Sequence, residues 1–148
     1  MTPAELRAYI EAQPEFAAFI AGGNDQDICD AINLRTVPVV GSVARSKFSM
    51  WCGSTGVRSK IQDHADNPAS PLRAISLTLL DFLQGGVSEA LDLADSTNQQ
   101  MLGVWVALGE IAQTQADELI AMATTQEPIA GRQLGNVDIA KAFGRMGV

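Results

Sequence analysis

Residues that start helices and residues that stop them alternate at short intervals along this chain, so any helical fold it adopts must be built from short pieces. Thr2 can cap a helix with Pro3 at its first position and Glu5 at its third, the capping-box arrangement. Leu6 and Ile10 then share one face. Pro14 breaks that helix and, standing before Glu15, begins another in which Phe16, Phe19 and Ile20 supply the apolar stripe. Gly22-Gly23 stops it, and Asn24 can cap a third with Ile28 and Ile32 on one side.

The same punctuation continues downstream. Ser42 is positioned to cap a helix through Val43, Phe48 and Trp51, which ends in Gly53-Ser54-Thr55-Gly56; a further helix runs from Val57 to about Ala65. Asp66-Asn67-Pro68-Ala69-Ser70-Pro71 is a turn cluster, after which Ile75, Leu79, Phe82 and Leu83 recur at helical spacing up to Gly85-Gly86. A short helix is expected over Ser88–Ala94. Ser96 opens another with Met101, Val104, Trp105, Leu108 and Ile111 inward, and Thr114 caps its hairpin partner, which carries Leu119, Ile120 and Ala123. Residues 124–136 read as loop, and Asn136 caps a last helix with Val137, Ile139, Ala140 and Phe143.

Residues 34–41 are the least helical part. Val37, Val39 and Val40 favour extended backbone and Pro38 holds its predecessor extended, but no second convincing strand is present to pair with them. The stretch reads as an extended central linker, with a short edge strand as the alternative. The expected fold is all-α: an irregular bundle of about eight short helices forming a single domain over 1–148, with a possible subdivision near 66–71.

Hydrophobic residues make up 47% of the 148, enough for a core without metal or disulfide staples. Charged residues, at 18%, fall below the usual quarter, which tilts the chain toward assembly with other surfaces. A net charge of -7 argues against a free-standing binder of nucleic acid or anionic membrane. The N-terminus has no signal-peptide layout, and no apolar run approaches the roughly eighteen residues of a membrane span, so the expectation is maturation in a cytoplasm. In that compartment Cys29 and Cys52, which form no C-x-x-C pair, read as buried thiols rather than a bridge.

Charge is unevenly spread. Residues 1–30 carry six acids against Arg7, and 63–127 carry ten against Arg73. Residues 31–62 hold no acid at all, but contain Arg35, Arg45, Lys47, Arg58 and Lys60. Trp51 lies in that stretch beside Phe48 and Met50. Aromatic, Met and Arg residues together are the composition enriched at protein interfaces. Core packing is the ordinary reading of both tryptophans, and Trp51 is the better interface candidate of the two. Arg45, Lys47, Phe48, Trp51, Arg58 and Lys60 are therefore the expected partner-binding residues.

Catalytic chemistry has little to build on. His64 is the one histidine, set in Gln62-Asp63-His64-Ala65-Asp66 at a helix end, where it reads as a surface residue near the last carbonyls. There is no G-x-S-x-G elbow, no Ser-x-x-Lys and no Walker loop, and the neighbours of Cys52 suggest burial. Two cysteines and one histidine do not make a zinc site, and the acid pairs lack calcium-loop spacing, so neither metal nor cofactor is expected. Gly53-x-x-Gly56 followed by Arg58 and Lys60 has the glycine spacing of a KH loop, but the strands of that fold are missing from the reading, leaving a helix-breaking turn.

The opening ELRAYIEAQPEFAAFIAGGNDQDICDAIN, and the segment MLGVWVALGEIAQTQADELIAMATTQEPIAGRQLG followed by NVDIAKAF, resemble small uncharacterised proteins encoded among the structural genes of tailed bacteriophages. The resemblance implies a tail- or head-associated virion or assembly component, resident in the virion and in the host cytoplasm during assembly. It implies contacts with other virion proteins or with further copies of itself, and no active site. Two other readings stand beside it: a helical adaptor that docks on a host protein through its acidic 63–127 region, and a weaker one, a nucleic-acid contact at Arg45, Lys47, Arg58 and Lys60.

Overall fold

Local caps shape the first part of the chain as the sequence predicts. In the computed structural model, which describes residues 1–145, Thr2 Oγ1 accepts from Glu5 N at 3.3 Å, and the Glu5 carboxylate accepts from Thr2 N at 2.7 Å. This closes the capping box over α1 (Pro3–Glu11). Pro14–Phe16 form one 3₁₀ turn leading into α2 (Ala17–Gly22), which stops on Gly23 at φ 66°, a left-handed conformation that only glycine adopts without cost. Asn24 Oδ1 accepts from Asp27 N at 3.4 Å to cap α3 (Asp25–Asn33).

Beyond α3 the all-α expectation is corrected. Among the described residues the chain is mostly helical but carries four short strands in two two-stranded sheets. The presumed linker contains β1 (Thr36–Val40), and its partner is β4 (Thr124–Pro128), inside the segment expected to be loop. Thr36 and Gln126 are joined through their side chains at 3.1 Å, and Ile129 N donates to Arg35 O at 3.0 Å. Ser42, expected to cap a helix, sits instead in β2 (Ser42–Ala44), so α4 (Arg45–Thr55) begins two residues late without a side-chain cap. The expected helix over Ser88–Ala94 is replaced by β3 (Ala90–Asp92). It runs antiparallel to β2, with Ser42 opposite Asp92, Val43 opposite Leu91 and Ala44 opposite Ala90.

Gly53 stays helical, and α4 ends at Gly56, φ 75°, from which α5 (Val57–Asp66) starts directly. The 66–71 turn separates α5 from α6 (Arg73–Leu83). Then follow β3, α7 (Ser96–Ala107), α8 (Gln113–Ala123), β4 and α9 (Asn136–Ala142). Asp95 rather than Ser96 caps α7, accepting from Thr97 N at 2.8 Å. No helix of the described residues is long and apolar enough to cross a membrane.

The chain forms two compact units: Met1–Val39 with the segment from Gln126 onward, and Val40–Thr125. It passes between them twice, once in β1 and once in β4. In the first unit α9 packs on α1 and on α3, around a core that includes Leu6, Ile10, Phe16, Ile28, Ile32 and Ile139. Asn33, on α3, clasps Leu134: its Nδ2 donates to Leu134 O at 2.9 Å and its Oδ1 accepts from Leu134 N at 2.8 Å. The Cys29 thiol donates to the same carbonyl at 3.0 Å. In the second unit α5 packs against α6 and α4, and α8 against α4, around Phe48, Trp51, Ile61, Leu79, Trp105 and Leu119.

Asp138 near the start of α9 accepts from Arg132 at 2.6 and 2.9 Å and from Gly135 N at 2.9 Å. The Arg132 guanidinium chiefly, with the Gly135 amide, holds its carboxyl down at about 2, from an ordinary 3.8. A folded-state value below the unfolded one contributes stability that is complete at neutral pH and is lost as pH falls from 3.8 through about 2. Arg132 is well exposed, so solvent screening trims the contribution. We expect Asp138→Asn to cost about 1 kcal/mol near pH 7 and the gap from the native chain to close across that acid window. Urea titrations at a series of pH values check this; a gap that is independent of pH would refute it.

Candidate protein-contact face

Helix α4 is laid out by its periodicity. Phe48, Trp51 and Cys52 fall on one side and are buried. Lys47, Met50 and Ser54 fall on the other, three or four residues apart, and share an outer face. The expected partner-binding set is thereby divided. Trp51, only 5% exposed, stacks on Phe48 with ring centroids 5.7 Å apart, and Phe48 in turn meets Phe82 at 5.7 Å, so both aromatic members belong to the core.

Two of the four cations are also committed internally. Arg45 Nη2 donates to Gly86 O at 2.9 Å and to Ser88 O, with its guanidinium 5.5 Å from the Phe82 ring centroid. It thus holds the loop before β3. That loop is tight, because a Cβ on Gly86 would lie 2.8 Å from Asp81 O. Lys60 Nζ donates to Glu110 O and stands 4.0 Å from the Glu110 carboxylate. Lys47 and Arg58 are exposed and, among the described residues, take part in no ion pair. Arg35, the first cation of the acid-free stretch, belongs to the first unit, where it bonds Tyr9 Oη at 2.8 Å and Glu15 at 2.5 Å.

Next to Met50, which is 74% exposed, a shallow hollow opens between α4 and α8, lined by Met50, Trp51, Ser54, Glu118, Ala121 and Met122. Met122 was missed by sequence reasoning. The signal was present: Glu118 and Met122, four apart, fall off the stripe of Ala116, Leu119 and Ala123 that α8 buries. Two unbranched, polarizable methionine side chains give a surface that adapts to differently shaped partners. Lys47, on the outer face of α4, adds positive charge beside it, and Glu118 in the lining adds negative charge.

The polar centre of the second unit lies elsewhere. His64 is not the surface residue expected. Its Nδ1 lies 2.7 Å from Ser70 Oγ, its Nε2 lies 3.2 Å from Glu110 Oε1, and its ring meets the Trp105 ring edge-on at 5.5 Å. This row has the donor–acceptor order of a Ser-His-acid relay. Its ends are occupied, however. Ser70 Oγ accepts from Leu72 N at 3.1 Å, and Glu110 also faces Lys60. Ser70, His64 and Glu110 are not among the residues that line the hollow beside Met50. The arrangement ties the end of α5 to the α7–α8 turn and the approach to α6.

Cys52 is fully buried, and burial pushes its thiol up to about 12 against the pull of Arg58, so it stays protonated and a poor nucleophile near neutral pH. Among the described residues, no three His, Cys, Asp or Glu side chains gather closely enough to hold a metal ion. The interior cavity of the second unit, walled by residues including Trp51, Ile61, Met101 and Trp105, has a volume of about 30 Å³. That is room for little more than a water, far below the several hundred Å³ of a cofactor pocket. No protein family, curated protein or solved structure matches this chain.

Proposed function

We propose that this chain is a non-catalytic structural or assembly component of a bacteriophage particle, tail- or head-associated, which acts by binding another virion protein through the outer face of α4. The observation that carries the reading is Met50, 74% exposed beside Met122 on a face that also bears Lys47, which takes part in no ion pair among the described residues. In a chain of net charge -7, a basic, methionine-bearing face selects an acidic partner surface with apolar side chains to fill the hollow. The resemblance of both ends of the chain to proteins encoded among phage structural genes supports the setting.

Lys47→Glu combined with Met50→Glu should leave the fold intact, because both side chains point to solvent. It should lower incorporation of the protein into purified particles by ~tenfold or more, through loss of charge complementarity and of the apolar anchor. Quantitative blotting of particles against a capsid standard measures this. Undiminished incorporation, with the variant folded, would overturn the proposed face.

A further inference from the structure

We infer that the partner of the α4 face is a second copy of this chain, which seats its Val87 in the hollow beside Met50. The inference rests on the reading of that face given above and names its occupant. Such an occupant needs an apolar side chain that stands clear of its own surface, with acids around it to meet Lys47. The second unit itself carries one. Val87, in the loop between α6 and β3, is fully exposed. Asp81 and Asp92 line one groove with it, and Glu89 lies two residues on. All three acids are exposed, and among the described residues none of them takes part in an ion pair.

A lone valine at a surface is ordinary. This one is held out by its neighbours. Arg45 Nη2 donates to the carbonyls on both sides of it, to Gly86 O at 2.9 Å and to Ser88 O. Gly86 N donates to Asp81 O at 2.8 Å, and Ser88 Oγ donates to Ala90 O at 2.5 Å. The loop is thus ordered before a partner arrives, and docking does not bear the entropic cost of ordering it.

The hollow matches this knob. It has a volume of about 440 Å³, ample for a valine side chain and the residues beside it, and Met50, Ala121 and Met122 give it an apolar lining. Lys47 beside it can pair with the acids of the loop. Glu118, the acid of the lining, would meet the amide N–H groups of Val87 and Ser88, which have no acceptor among the described residues.

Knob and hollow lie on opposite flanks of α4. Arg45 and Ser49 turn toward the loop and share a recess with its Glu89. At about 100° per residue they stand about 150° around the helix from Lys47, Met50 and Ser54. Two copies therefore cannot make this contact twice about a twofold axis. Once joined, they leave one valine and one hollow open, and further copies add head to tail into a ring or an open row.

Two variants separate the halves of the contact. Lys47→Glu with Met50→Glu spoils the hollow, and Val87→Asp spoils the knob. All three positions are exposed, so thermal midpoints should stay near that of the native chain. In sedimentation velocity over a wide concentration range, the native chain should grow past the dimer. Each variant alone should associate at least ~tenfold more weakly. An equimolar mixture of the two variants should form one-to-one dimers and stop there, because one intact knob meets one intact hollow and both remaining ends are spoiled. A native chain that is monomeric at every concentration, association indifferent to Val87→Asp, or a mixture that forms no complex would each overturn the inference. The α4 reading is judged separately, by incorporation into particles: a monomeric native chain whose Lys47→Glu, Met50→Glu variant is still excluded from particles overturns the second copy as partner and keeps the face.

Discussion

Trp51→Ala should destabilise the second unit by about 3–5 kcal/mol, the usual cost of emptying a large aromatic site, whereas its neighbour Met50→Ala should change stability by less than ~0.5 kcal/mol. The contrast follows from one turn of helix. Trp51 is wrapped by the core and stacked on Phe48, while Met50 faces solvent. Among the described residues the indole N–H of Trp51 has no hydrogen-bond partner. Trp51→Phe therefore gives up no hydrogen bond, removes a buried unpaired donor, and should recover most of what Trp51→Ala loses. Chemical denaturation followed by the fluorescence of Trp105 compares all three variants. If Trp51→Ala proved as mild as Met50→Ala, Trp51 would be a surface residue and the division of α4 proposed above would be wrong.

The second large effect is expected at Asn33. Its carboxamide makes the equivalent of a two-bond strand pairing with Leu134, whose backbone has no ladder of its own there. Asn33→Ala leaves the Leu134 N–H unpaired and the carbonyl with only the weak Cys29 thiol donor, in a place largely closed to water. The cost should be about 2–3 kcal/mol, and the Leu134 amide should change from slow to fast hydrogen exchange. Cys29→Ala, which keeps both amide bonds, should lose less. Exchange at Leu134 that was as slow in Asn33→Ala as in the native chain would show that another group satisfies the amide.

What could be read from the sequence was what is decided locally. The Thr2–Glu5 box, the Asn24 cap, the Gly23 stop and the start of α5 after Gly56 each depend on residues within one turn of each other, and each is found where the residues place it. The strands escaped because their partners are remote. Thr124–Pro128 has no apolar alternation and ends in proline; it becomes a strand because Thr36–Val40, far earlier in the chain, offers it an edge. Ala90–Asp92 has helix-forming residues on either side. It is extended because β2 pairs with it and Arg45 clamps the carbonyls of Gly86 and Ser88 just before it.

The outer face of α4 was half legible for a similar reason. The acid-free run 31–62 drew attention to α4, but composition does not say which side of a helix is outside. The spacing of Phe48, Trp51 and Cys52 does, once helix and core are known. The Ser70–His64–Glu110 row could not be anticipated, because Glu110 lies two helices further on than His64.

The first unit encloses the second in the sequence: α1 to α3 precede it, and α9, which packs on α1 and α3, comes only after residue 125. On the ribosome the segment 40–125 emerges complete before its flanks can meet. For the time needed to translate it, Leu6, Ile10, Ile28 and Ile32 lack the helix that shields them. Order of synthesis thus makes closing the first unit a late, non-local step, bearing the entropic cost of bringing together segments separated by an entire folded body.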